Sequence, residues 1–336
     1  MVDDSESHSL DTMQRRIRRR VSSRSRYPFQ QYITQGLGIC LVVGFVVFNI
    51  IYFEKKKNRL SLKTRTVRAR EQWVTPTSQA FNDNGVAHKA RNLIIVAGHS
   101  VTTSGHLEDA DHDEADWFLL DYQKRRGLPE AIAAHIKAGV QAANSDPHGL
   151  LVFSGGETRA TAGPDTEGSS YFRVTDAMNW WPRKSNVRSR TLAEEFATDS
   201  FQNLLFSICR FYEVTGRYPE KITVVSFTFK ERRFAELHAK ALRWPSSQFF
   251  YVGVDPSPSD GFKLEEASKG EMENAAKPFE DDPYGCNSPV LREKRALRNP
   301  FYRTPPYDLS CPDMQEILHY CNPEMIPKDK TPWVSE

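Results

Sequence analysis

Ser154, Gly155 and Gly156 close a short apolar run, Leu150 to Phe153, and are followed at once by Glu157, Thr158 and Arg159. Glycines at the end of a buried strand let the main chain approach a ligand closely and offer it backbone N–H groups. Glu157 and Arg159 add one charge of each sign to the same rim, so the pattern reads as a ligand crevice. It is not a Walker loop, because no Gly-Lys-Ser/Thr follows, and it is not a Gly-x-Gly-x-x-Gly dinucleotide fingerprint. Ser154 and Ser226 both lack the Gly-x-Ser-x-Gly setting of a nucleophile elbow.

Three other apolar runs end in comparable turns: Gly98-His99-Ser100, the stretch from Ser226 to Arg233, and Gly253-Val254-Asp255. Ligands of open α/β sheets bind outside the carboxyl ends of the strands, so neighbouring strands would gather His99, Glu157, Arg159, Lys230 and Arg232 into one crevice. His99 is a candidate general base or a hydrogen-bond donor to a phosphate. Lys230, Arg232 and Arg233 open a helix, where cations oppose the dipole unless an anion is present. The acidic run Glu108 to Asp116 lacks the glycine and distal Glu of an EF-hand, and reads as a solvated loop. No Cys/His spacing suits a structural zinc, so no metal site is expected.

The elements that must carry these loops follow from hydrophobic periodicity. Four runs are continuous rather than alternating, as in strands covered on both faces: 93–97, 150–153, 222–226 and 249–254. Between them lie helical patterns. One opens at Leu128-Pro129-Glu130 and continues through Ile132, Ile136 and Val140; a second spans 191–215 and a third 230–242. Strand and helix in alternation predict an α/β fold with a doubly wound, mostly parallel sheet over 91–256. From 257 to 336 the chain is polar and Pro-rich with one late helix near Met314 to Tyr320, and it is expected to wrap the sheet domain.

Composition bounds the rest. Of 336 residues, 39% are apolar and 26% charged, which is ordinary for a folded chain. The net charge of +2 hides an asymmetry, with 15 Lys/Arg against 5 Asp/Glu in residues 1–70 and 30 against 38 afterwards. An acidic body argues against nucleic acid as a partner. Residues 1–30 read as a disordered basic tail. Ile33 to Phe53 carries no charge and is long enough for one membrane-spanning helix, with Tyr32 and Tyr52 as interfacial aromatics, so the lipid bilayer is an expected partner. A connector, 54–90, leads to the body. Basic residues flank the span on both sides, and a luminal body is the preferred orientation. Cys209, Cys286, Cys311 and Cys321 are enough for two disulfides in an oxidising compartment, with Cys311–Cys321 one possible small loop.

Several of these pieces in this order resemble the YdcF/SanA/ElyC-like family of unknown function (DUF218), particularly a membrane-anchored eukaryotic branch. They are the strand ending in Gly98, the Ser154-Gly155-Gly156 turn, Glu167 in the next segment, the block from Glu194 to Asn203, and Ser226 with Arg232. The 299–312 stretch with Cys311 also looks like that branch. Gln202 stands where relatives carry an inner Glu, and Phe229 or Lys230 near the place of a His. The resemblance implies a Rossmann-like domain and an anionic or nucleotide-like small ligand, and no particular cofactor. The strand-end loops and the resemblance together give Gly98, Ser154, Gly155, Gly156, Arg159, Glu167, Asn203, Ser226, Lys230 and Arg232 as the expected ligand-binding residues; Glu157, Glu195 and His99 are the candidate acid–base groups. Transfer or hydrolysis of glycan or envelope precursors at an endoplasmic reticulum or Golgi membrane is the expected function. A non-catalytic membrane-tethered scaffold or ligand sensor is the alternative.

Overall fold

The computed structural model describes residues 85–333 except 86 and 182–185, together with Asn49, Tyr52 and Glu54, which are helical. The expected tail 1–30, most of the span Ile33–Phe53 and most of the connector 54–90 lie outside the described residues. Among the described residues no helix is long and apolar enough to cross a membrane. The chain divides into two units, Met1–Ala69 and Arg70–Glu336, and the second contains everything that follows.

Five strands, all parallel, form one sheet: β1 (Asn92–Ala97), β2 (Gly149–Ser154), β3 (Thr191–Glu194), β4 (Lys221–Ser226) and β5 (Phe249–Gly253), in the order β3-β2-β1-β4-β5. Every residue of β1 and β2 is buried, which explains their unbroken apolar runs. One face packs Ile94, Val96, Leu151, Phe153 and Val225 with helix α1 (Leu128–Ser145) and helix α2 (Glu167–Ala177). The other packs Leu93, Ile95, Leu150, Val152, Ile222 and Val224 with helix α3 (Ser200–Thr215). Pro129 sits in the first turn of α1, where its missing N–H costs nothing.

β3 departs from the sequence expectation, which ran a helix through 191–215. It has four residues, and the Leu192–Phe196 spacing imitates a helical stripe. The helix starts only after Asp199, whose side chain accepts from Gln202 N–H as an N-cap, and it stops at Gly216 with φ 67°. The third helical pattern holds as α4, a π-helical turn Arg233–His238 continued by Ala239–Ala241.

Residues 257–336 are more helical than their prolines suggest. A helical run α5 joins Leu264–Glu271, a π turn Met272–Ala276 and Lys277–Asp281. Pro278 follows the π turn, where the hydrogen-bond ladder is already interrupted. Helix α6 (Pro289–Leu297) and short turns α7 (Tyr307–Ser310) and α8 (Gln315–Leu318) follow, the last being what remains of the expected late helix. Cys321 pairs with Cys286 rather than Cys311, while Cys209 and Cys311 are buried free thiols.

Candidate functional site

The strand order reverses between β1 and β4: the chain moves outward through β2 and β3, then returns to the other side of β1. At such a point the loops leaving two neighbouring strands part in opposite directions and leave a crevice at their carboxyl ends. A cavity of about 600 Å³ lies there. The loops after β1, β2, β3 and β4 form its floor, with α5 and α6 opposite, so the Pro-rich extension supplies a wall of the site.

His99 and Lys230 meet on the floor. Lys230 Nζ is 3.3 Å from His99 Nδ1, and His99 Nε2 is 3.1 Å from Ser226 Oγ. A charged ammonium can only donate, so His99 Nδ1 accepts from it and Nε2–H donates to Ser226. Both ring nitrogens are thereby engaged within the protein. Burial, and then the Lys230 charge, holds the His99 pKa well below the usual histidine range. His135 packs edge-on at 5.3 Å between ring centroids, and burial lowers its pKa to about 4. Burial, and then the neighbouring Arg233, lowers the Lys230 pKa to about 7. The Lys230 ammonium also lies 4.9 Å from the Phe227 ring centroid.

Phe227, Phe229 and Phe262 make a stacked row, with centroids 5.1 and 6.1 Å apart, and His99 stacks on Phe227 at 4.6 Å. The remaining wall is charged. Arg233 lies 2.8 Å from Glu271, close enough for an ion pair, although both atoms lack a well-directed hydrogen bond. Asp199 is paired with Arg295 at 2.6 Å, and Arg126 with Glu266 at 3.6 Å. Lys230, Lys294 and Arg298 line the same space and have no carboxylate within 4.0 Å among the described residues. Burial, and then Arg298, lowers the Lys294 pKa.

A comparison with curated proteins finds a relative. The uncharacterized protein YOR238W of Saccharomyces cerevisiae is 31% identical over 264 residues, covering 64% of this chain and 86% of that protein. The chain belongs to the family of that yeast protein. No family model matches it, and no solved structure matches it. In this member of the family, the Ser154-Gly155-Gly156 turn has a job other than the one its composition suggests. Gly155 N–H donates to Glu194 O and Gly156 N–H to Ala197 O, so neither amide is offered to a ligand. The carbonyls of the same two residues accept the first N–H groups of α2, from Gly168 and Glu167. The turn therefore clamps α2 to the sheet. A Cβ on Gly98 would lie 2.5 Å from Glu167 Oε2, and one on Gly155 would meet the same carboxylate. The glycines make room for Glu167, which reaches the cavity with Oε1 accepting from Thr158 Oγ1 at 2.5 Å.

Of the residues expected at the site, Gly98, His99, Glu167, Asn203 and Lys230 line the cavity. Asn203 Nδ2 donates to Ser154 O and Oγ, and Ser154 Oγ donates to Glu194 Oε2 at 2.6 Å. Burial raises the Glu194 pKa to about 7. Ser154 and Ser226 thus stand one layer below, holding the residues that line the space. Arg159 is drawn behind the β1 loop, donating to His99 O and Thr158 O. Glu157 pairs with Arg303 at 2.6 Å, and Glu195 accepts from Thr166, the N-cap of α2. Arg232 is exposed and pairs with Glu280 and Glu236. The guanidinium that enters the cavity is the next one, Arg233, because the π turn begins there and shifts the face that looks inward. Lys294 and Arg298 were not foreseeable from the strand-end rule, since they come from α6. In the acidic loop Asp109 and Asp111 contact His112, Asp113 caps a short turn, and Glu114 accepts from Arg125 N–H.

Proposed function

We propose that the domain is a Rossmann-like, doubly wound α/β module that binds an anionic, nucleotide-like small molecule in the cavity above β1 and β4. The observation that carries this is the convergence of Lys230, Lys294 and Arg298 on one cavity with no carboxylate within 4.0 Å of them among the described residues. Cations held together away from bulk water repel one another, and a bound anion relieves both that repulsion and their desolvation. The row of Phe227, Phe229 and Phe262 suits a flat ring beside the charge. The volume falls within the range of small-molecule sites. Thermal shift of the full chain in detergent tests the reading. ADP and pyrophosphate should raise Tm, and Lys230→Met should abolish the rise; the absence of any anion-dependent shift contradicts it.

The resemblance to the YdcF/SanA/ElyC-like family belongs to the same proposal, supported by the 3-2-1-4-5 strand order with helices on both faces. A second reading, a ligand sensor in which His99 positions rather than reacts, is supported by one specific feature: both ring nitrogens of His99 are engaged. The proposal extends to context, with Ile33–Phe53 anchoring the protein in the endoplasmic reticulum or Golgi membrane and the body in the lumen. The Cys286–Cys321 bridge supports an oxidising surrounding. In sealed microsomes the body should resist protease until detergent is added, and digestion without detergent contradicts the luminal placement.

A further inference from the structure

Ser200 lines the cavity that the cations line, and His238 backs it from the core. Ser200 is the first residue of the 16-residue helix α3 and lines the cavity. His238 lies behind it, fully buried, with Nε2 2.7 Å from Ser200 Oγ. The ring is delivered by the π turn of α4, whose last residue it is. Its edges are fenced by Phe201, Phe234 and Phe279, with centroids 5.7, 5.6 and 4.6 Å away.

We propose that Ser200 and His238 are a nucleophile and its base, and that they cleave a carboxylic ester of the anionic molecule held in this cavity. The proposal rests on the anion-site reading for the substrate's charge, but its chemistry comes from separate atoms. Ser200 is buried yet lines the cavity, and its hydroxyl is hydrogen-bonded to the imidazole behind it. Nδ1 of His238 has no hydrogen-bond partner among the described residues, so Nε2 is the nitrogen that meets Ser200. Burial, and then the nearby Arg233 charge, holds the His238 pKa well below the usual histidine range, so the resting ring is neutral.

The start of α3 supplies what a developing oxyanion needs. The N–H groups of Ser200 and Phe201 donate to no acceptor among the described residues, because the first turn of a helix has no intrahelical partners. They sit at the positive end of the helix dipole, next to the nucleophile. One hydroxyl, one neutral imidazole and two backbone donors fit acyl transfer through a single oxyanion.

The step balances without a further reagent. Ser200 Oγ attacks the ester carbonyl carbon while its proton passes to His238 Nε2. The carbon–oxygen bond to the alcohol breaks, and the departing alkoxide takes that proton. Water then attacks the acyl-Ser200 carbonyl, gives its proton to Nε2, and Ser200 leaves as the hydroxyl, releasing the carboxylic acid.

The test is covalent labelling of the full chain in detergent with a fluorophosphonate, read by peptide mass spectrometry. The adduct should fall on Ser200 at least tenfold above Ser154 and Ser226, and the labelling rate should drop about a hundredfold in His238→Gln. Tm reports whether that variant is folded; if it is not, the selectivity for Ser200 in the unmodified chain decides. No adduct on Ser200, equal labelling of the three serines, or a folded His238→Gln labelled at the original rate overturns the proposal. Pyrophosphate binding is measured in parallel. Labelling without binding sinks the anion site alone, and binding without labelling sinks the ester chemistry alone.

Discussion

At the scale of single residues, the site turns on Lys230. Its lowered pKa of about 7, against 10.5 for a free lysine, means that the folded chain gives up a proton that the unfolded chain keeps. The cost of holding the charged form is complete below about pH 7 and disappears as pH rises toward the unfolded value. This residue therefore makes stability rise with pH between those limits. A bound anion favours the ammonium, so binding above pH 7 should take up a proton, and affinity should weaken by up to about tenfold per pH unit. Calorimetry at pH 8 in buffers of different ionisation heat measures the uptake. It should vanish in Lys230→Met, and an unmodified chain that takes up no proton counts against the assignment. The sequence pointed to Lys230 and His99 because both follow apolar strands directly. It pointed to Arg232 in place of Arg233 because a π turn displaces side chains in a way no residue type announces.

At the scale of elements, the strand-end glycines Gly98 and Gly155 make room for the Glu167 side chain. Gly168, one residue into α2, would place a Cβ 2.7 Å from both Glu194 O and Phe153 O, which are backbone atoms of the sheet. Gly168→Ala should therefore cost about 1–3 kcal/mol in urea unfolding, and an unchanged midpoint would show that α2 is not clamped as described. Tyr307 of α7 donates to the buried Glu194 at 3.2 Å, linking the extension to β3. Tyr307→Phe should cost about 1 kcal/mol by the same measurement. Four of the five strands were legible as continuous apolar runs. β3 was not, because a four-residue strand abutting an amphipathic helix has no period of its own. α5 and α6 were hidden for a different reason: their polar faces and prolines resemble a loop, and only packing against the cavity selects the helical state.

At the scale of the molecule, the extension after β5 is part of the site, and the Cys286–Cys321 bridge closes a 35-residue separation within it. On chain-entropy grounds its loss in Cys321→Ser should lower stability by about 3–4 kcal/mol. A Tm unchanged by that substitution would mean that the extension is held by packing alone. The α/β architecture and the position of the crevice could be read from the order of strand and helix signals. The opposing wall could not, since it is built by residues distant in sequence from every strand end. From that wall Lys294 and Arg298 join Lys230 as cavity cations with no carboxylate within 4.0 Å among the described residues. The most direct measurement of the account is isothermal titration of the full chain with pyrophosphate, beside Lys230→Met and Arg298→Met. The account predicts saturable one-site binding that weakens by about tenfold or more in each variant. No binding, or binding unchanged in both variants, would contradict it.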